Sequence, residues 1–400
     1  MQGTRIQVSK RKDLVGESPI RKLVPYADAA KAAGTKVYHL NIGQPDIETV
    51  PAIRSAYGNI PRVVAYGPSQ GLPELRQKFS EYYAQYGLDL DPQHIYVTSG
   101  GSEAITFALM AVTSPGDEII IPEPYYANYN GFAAMSGAKV VPVTSRLEDG
   151  FHLPAIDEFE RLLSSKTKAI MFSNPGNPTG AVFSRERLQE LVDFAREHNL
   201  FIISDEVYRE FTYEGRQAVS IMEFEGIEEN AIMVDSVSKR YSACGARIGT
   251  IISRNSEVMD LVLRFAQARL CPPTVDQLAV AEALTSSDRY LERVRLEYKA
   301  RRDFLIERLQ LIDGVRISTP EGAFYLIAEL PVDDAEKFAI WLLSDFNFEG
   351  ETLMVAPAQG FYSTPDLGKH QVRIAYVLTR DKLERAVRIL REALKVYNQR

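Results

Sequence analysis

An alternation constrains this chain more than any other feature. Between about residues 94 and 250, short runs rich in Ile and Val take turns with helically patterned stretches. The runs are 95–98, 118–121, 139–143, 169–172, 201–204, 231–234 and 248–252. They are apolar on both faces, which suits strands of a parallel or mostly parallel sheet covered by helices on both sides. Between them, Leu188, Leu191, Val192 and Ala195 fall on one face of a helix over 184–199. A second helix, 102–114, is stopped by Pro115 and Gly116.

After about residue 290 the pattern changes. A charged helical run, 291–309, leads into strands at 315–318, 323–329 and 372–377 and a closing helix at 383–397. With 400 residues the chain exceeds the size at which one core keeps growing. The expected architecture is α/β. A large domain over 46–289 holds the mostly parallel sheet sandwiched by helices, and a smaller α+β domain combines 1–45 with 290–400.

Ligands of open α/β sheets bind beyond the carboxyl ends of the strands. Polar clusters fall at five such ends, at 99–102, 122–126, 173–180, 205–208 and 235–239. Their convergence on one pocket is the main sign of a site. Net charge is −7, which argues against a nucleic-acid surface or an anionic membrane as partner. Two cysteines make neither a disulfide framework nor a metal cluster, and the five histidines show no paired spacing, so no metal is expected. The opening MQGTRIQVSKRKDL lacks an apolar signal region, and no run reaches the roughly 18 to 20 apolar residues that span a bilayer. A cytoplasmic protein in a reducing compartment is the expectation.

Each candidate residue carries an ordinary reading beside the chemical one. Lys239, just past a strand, is one of 46 basic residues. Burial or neighbouring cations turn a lysine amine into a Schiff-base former, and Ser236 and Arg247 nearby are suited to hold a phosphate. Asp205 ends the strand FIIS; it is either a helix N-cap or a buried carboxylate with a partner. Asn177 lies in SNPGNPTG, a rigid turn by composition. Gly100, Gly101 and Ser102 open a helix whose free N–H groups favour a phosphate, although neither GxxxxGK[ST] nor GxGxxG is present. Arg373 sits in the apolar run VRIAYVLT, either in an internal salt bridge or as a bidentate clamp on a carboxylate.

Together these residues resemble the class I and II aminotransferases, the fold-type I enzymes of pyridoxal 5'-phosphate (PLP). NPTG, SDEVY, SxSK, GxRIG and VRIAY occur in the family's order and at its usual separations, and the likeness runs from the segment at Asn41 to Arg373. The resemblance implies a Schiff base on Lys239, which also carries the substrate Cα proton. It implies Asp205 on the pyridine nitrogen, and Asn177 and Tyr208 on the cofactor's phenolic oxygen. Tyr126 would stack on the ring, and Gly100, Gly101, Ser102, Ser236 and Arg247 would cup the phosphate. Tyr66 would reach that phosphate from the other subunit of a homodimer. Arg373, with Gly43 and Asn177, would hold the substrate α-carboxylate. The activity so implied is ping-pong amino transfer from an L-amino acid, aspartate favoured, to a 2-oxo acid such as 2-oxoglutarate. A β-eliminating lyase or an aromatic or neutral amino-acid aminotransferase on the same fold is the alternative. A PLP-binding regulator without catalysis would need a DNA-binding domain, which the acidic chain does not suggest.

Some bacterial aspartate aminotransferases have a lysine after the Gly-Gly pair, where this chain has Ser102. An acidic substrate side chain would need another cation. Arg269 and Arg21 are the candidates, with an interface salt bridge as the competing role for Arg269.

Overall fold

The computed structural model describes residues 7–16, 18–285 and 288–400. Strand β1 (Lys36–His39) precedes the main sheet. That sheet comprises β2 (Ile95–Thr98), β3 (Glu118–Glu123), β4 (Lys139–Thr144), β5 (Thr167–Ser173), β6 (Phe201–Asp205), β7 (Ala231–Ser236) and β8 (Gly249–Ile252), in the order β2-β8-β7-β6-β5-β3-β4. β3 pairs in parallel with β4 and β5, β5 with β6, and β6 with β7. Only β8 runs against its neighbours, because the chain doubles back after a one-turn helix, Val237–Arg240.

Alternation along these strands sorts side chains into two cores. Ile120, Ile170, Ile202 and Met233 join Leu188, Leu191 and Val192 of the helix Arg185–Glu197. Their neighbours Ile119, Met171, Ile203 and Ile232 join Ala104, Ile105 and Ala108 of the helix Gly101–Val112. Successive strand residues point to opposite faces, so a strand buried on both sides must be apolar throughout. That is why the sheet is legible as continuous Ile and Val runs. The first helix begins at Ser184, whose hydroxyl accepts from the Arg187 N–H at 3.3 Å, a standard N-terminal cap.

The remaining strands are β9 (Arg316–Ile317), β10 (Tyr325–Glu329), β11 (Glu351–Met354), β12 (Ala356–Pro357) and β13 (Gln371–Ala375). β12-β13-β10-β9 form an antiparallel sheet, and β1 pairs in parallel with β11. Strands β1, β11 and β12 and the helix Ala335–Ser344 were not anticipated from sequence. β1 and β11 are four residues each and β12 only two, with a proline, so none makes a periodic run. The helix did carry a signal: Asp334 accepts from the N–H groups of Glu336 and Lys337 at 2.9 and 3.0 Å. No described helix is long and apolar enough to cross a membrane.

Candidate active site

The carboxyl ends of β2, β3, β5, β6 and β7 open onto a cavity of about 360 Å³. Each of the five polar clusters contributes to its wall: Gly101 and Ser102, Tyr126, Asn177, Asp205 and Tyr208, and Ser236 and Lys239. Gly43, Arg247, Arg373 and Arg21 complete the set of expected residues that line it.

Lys239 follows β7 on the one-turn helix. Its Nζ donates to the Gly43 carbonyl at 2.9 Å and lies 3.6 Å from the Cys244 Sγ. Gly43 is a required glycine, since a Cβ there would stand 1.7 Å from the Tyr325 hydroxyl. Asp205 ends β6 with no helix after it, so the N-cap reading fails. One oxygen instead accepts from the Tyr129 hydroxyl at 2.7 Å, the other from the Val207 N–H at 3.4 Å. Burial pushes its pKa up to about 6, and those two donors restrain the rise. A cation beside it would favour the charged form.

Arg373 is buried on β13. Its Nη1 donates to the Asn177 Oδ1 at 3.0 Å and its Nη2 to the Asn41 carbonyl at 2.5 Å. The rings of Tyr325 and Phe361 flank the guanidinium at 4.6 and 4.9 Å. Among the described residues no carboxylate pairs with it, and its Nε is buried without a partner. The internal salt bridge that sequence left open is therefore not formed. Burial pulls its pKa down, and a bound carboxylate would relieve the cost of the unpaired charge.

Another part of the cavity wall is a nest suited to an anion. The helix Gly101–Val112 points its start at it, and free N–H groups there carry partial positive charge. Ser236 and Ser238 lie alongside, their hydroxyls 2.8 Å apart. Arg247 covers the end, donating to the carbonyls of Cys244 and Ser99 at 3.0 and 3.3 Å. Gly249 lets the helix start approach β8: a Cβ there would meet Gly100 C at 2.7 Å and Gly101 N at 2.8 Å. Gly100 stands behind the wall rather than in it; with φ +81°, its missing Cβ makes room for the Arg247 guanidinium.

Besides Gly100, two expected residues lie outside the cavity. Tyr66 is 82% exposed. Arg269 is engaged elsewhere, donating to Glu103 at 2.7 Å and to the Ser69 carbonyl at 3.0 Å. Several site residues escaped sequence reasoning. Tyr129 and Tyr325 were missed, the latter bonded through its hydroxyl to that of Tyr208 at 2.7 Å. Ser238, inside the SxSK motif, was legible as a second hydroxyl beside Ser236.

This donor set fits PLP. A helix start, two serines and an arginine suit its phosphate, Asp205 suits a protonated ring nitrogen, Tyr126 offers a flat face, and Lys239 an amine. Comparison with known proteins agrees. A family model described as aminotransferase class I and II matches residues 35–390. Aspartate aminotransferase of Pyrococcus horikoshii is 31% identical, over 97% of both chains. Aromatic-amino-acid aminotransferase 2 of Thermococcus litoralis is 32% identical, over 97% of this chain and 98% of its own. Among solved structures, alanine aminotransferase from Pyrococcus furiosus superposes with a TM-score of 0.90 at 31% identity, covering 98% of this chain and all of that one. Aspartate aminotransferase from Thermus thermophilus with maleate gives 0.87 at 28%, covering 97% and all. The chain thus belongs to the class I and II aminotransferases, enzymes that move amino groups with the help of PLP.

Proposed function

We propose that the chain transfers the amino group of an L-amino acid, aspartate favoured, to a 2-oxo acid such as 2-oxoglutarate. The observation that carries this reading is the buried Arg373, without a carboxylate of its own and lining the same cavity as the phosphate nest. When bound, PLP supplies an electron sink for the Cα carbanion. Lys239 would hold the cofactor covalently and move the proton at Cα. Asp205 would keep the ring nitrogen protonated, and Asn177 and Tyr208 would bond the phenolic oxygen. Tyr126 would stack on the ring, and Gly101, Ser102, Ser236 and Arg247 would form the phosphate cup, with Gly100 behind it making room for Arg247. Arg373, Gly43 and Asn177 would hold the substrate α-carboxylate. With that group fixed, the Cα–H bond would face Lys239, an orientation effect worth several kcal/mol. The relatives named aspartate aminotransferase support the donor. A neutral or aromatic donor is the second reading, supported by Ile20, Ile42 and Ile105 on the cavity wall and by the aromatic and alanine aminotransferases among the relatives.

We further propose a cytoplasmic homodimer with shared active sites, and a division into a large unit over 46–289 and a small unit of 1–45 with 290–400. The exposed apolar stretch Ile60, Val63, Val64 and Tyr66 supports the dimer, since contiguous apolar surface of this kind marks interfaces. Tyr66 then enters the partner's site.

A donor panel with 2-oxoglutarate as acceptor tests the activity. Aspartate is expected to exceed alanine and phenylalanine in kcat/KM by at least about 10-fold. Release of pyruvate, ammonia and sulfide from cysteine, a donor with a leaving group on Cβ, without acceptor would make the enzyme a β-eliminating lyase instead.

Tyr129→Phe should weaken cofactor retention. A hydrogen bond to a charged group is worth about 1.5–3 kcal/mol, so its loss raises the Asp205 pKa further. A raised carboxyl pKa means more neutral Asp205 as pH falls through that value. The PLP dissociation constant should therefore rise roughly 2- to 10-fold at pH 7 and less at pH 9. An equal change at both pH values would mean that the hydroxyl acts only by packing.

A further inference from the structure

Four cationic side chains line the cavity, Arg21, Lys239, Arg247 and Arg373, against one carboxylate, Asp205. Three of the cations have work in the reading above. Arg21 has none, and among the described residues its guanidinium makes no hydrogen bond or ion pair. Its neighbour Lys22 is tied to Glu336 at 2.5 Å. Arg21 itself is exposed at the cavity wall.

The loop beneath Arg21 is built, not trailing. The Asn41 side-chain amide donates to the Ile20 carbonyl at 3.2 Å, and the Asn41 backbone carbonyl accepts from Arg373. Asn41 is fully buried, so one fixed residue ties the Arg21 loop to the Arg373 guanidinium. Pro19 packs on Gly360, where a Cβ would stand 2.3 Å from the proline ring. The Arg21 N–H closes the turn onto the Ser18 carbonyl at 3.0 Å. The Arg21 charge also reaches Tyr126: burial raises that phenol's pKa, and Arg373 and Arg21 oppose the rise.

We infer that Arg21 is the specificity-determining residue for the second carboxylate of the substrate, with Arg373 taking the first. The assignment rests on the dicarboxylate reading above. An arginine fork with no competing anion suits a planar carboxylate. Arg269 cannot serve this cavity as placed, because Glu103 and Ser69 occupy its fork.

The test uses the PLP-loaded enzyme in the amino-acid half-reaction alone, which keeps the acceptor's own carboxylates out of the measurement. Arg21→Ala should lower kcat/KM for aspartate and glutamate by about 10- to 100-fold, the size of a charge-assisted hydrogen-bond pair. Alanine and phenylalanine should change by less than about 3-fold. Arg21→Lys should restore part of the loss, and the dissociation constant for succinate, an unreactive dicarboxylate, should rise with Arg21→Ala. Equal losses for aspartate and alanine, or no loss for aspartate, would overturn the assignment while leaving the donor reading intact. A wild-type enzyme that accepts no dicarboxylic amino acid would overturn both.

Discussion

Lys239→Ala lowers amino transfer by at least about 10³-fold and still leaves a protein that binds PLP, because proton transfer by a placed side chain contributes about 10² to 10⁴ and the covalent link is lost as well. The phosphate nest and Asp205 do not depend on the lysine: Arg247, Ser236 and the start of the helix Gly101–Val112 are held by their own bonds. The variant should therefore retain cofactor through dialysis more weakly, yet lack the visible absorbance of lysine-bound PLP. Lys239 also donates to the Gly43 carbonyl, so a purely structural lysine is the competing account. On that account Lys239→Ala would cost only the worth of one hydrogen bond, about 10-fold. The two accounts differ by at least about a hundredfold in kcat.

Arg240→Met should destabilise the fold by about 3–5 kcal/mol, the usual cost of breaking a buried ion pair from one side. Arg240 is fully buried beside Lys239. Its Nε donates to Glu210 at 2.7 Å and its Nη2 to Asp235. Tyr82 and Tyr83 donate to the same two carboxylates, Tyr83 at 2.7 Å, and the Tyr82 ring lies 4.2 Å from the guanidinium. Removing the arginine takes the cation from two buried carboxylates, whose desolvation the Tyr82 and Tyr83 hydroxyls and the Ser236 N–H only partly offset. The midpoint of chemical unfolding should fall, and Glu210→Gln added to Arg240→Met should recover part of the loss because it removes one stranded charge. A change under about 0.5 kcal/mol would mean that the cluster does not hold the floor of the site.

Legibility from sequence followed the range of the interaction that makes each feature. The main sheet was readable because its strands are buried on both faces, so local composition reports them directly. Lys239, Asp205 and Asn177 were readable because each sits in a short motif at a strand end. Arg240 stands next to Lys239 in the same motif and was passed over, since its meaning lies in Asp235, Glu210, Tyr82 and Tyr83. Tyr83 is 152 residues from its partner Asp235, Tyr129 is 76 from Asp205 and Tyr325 is 117 from Tyr208. No local pattern encodes such pairings. The same limit applied to the two spare arginines. Arg21 and Arg269 were both candidates in sequence, Arg269 with a salt bridge as its competing role, and only the fold ties one to Glu103 and leaves the other at the cavity wall.

Amino transfer through a lysine-bound cofactor has a stoichiometric signature. Mixing the PLP-loaded enzyme with aspartate alone, without any 2-oxo acid, should yield one equivalent of oxaloacetate per active site and no ammonia, then stop until 2-oxoglutarate is added. Continuous release of ammonia, or turnover that continues without an acceptor, would contradict the account.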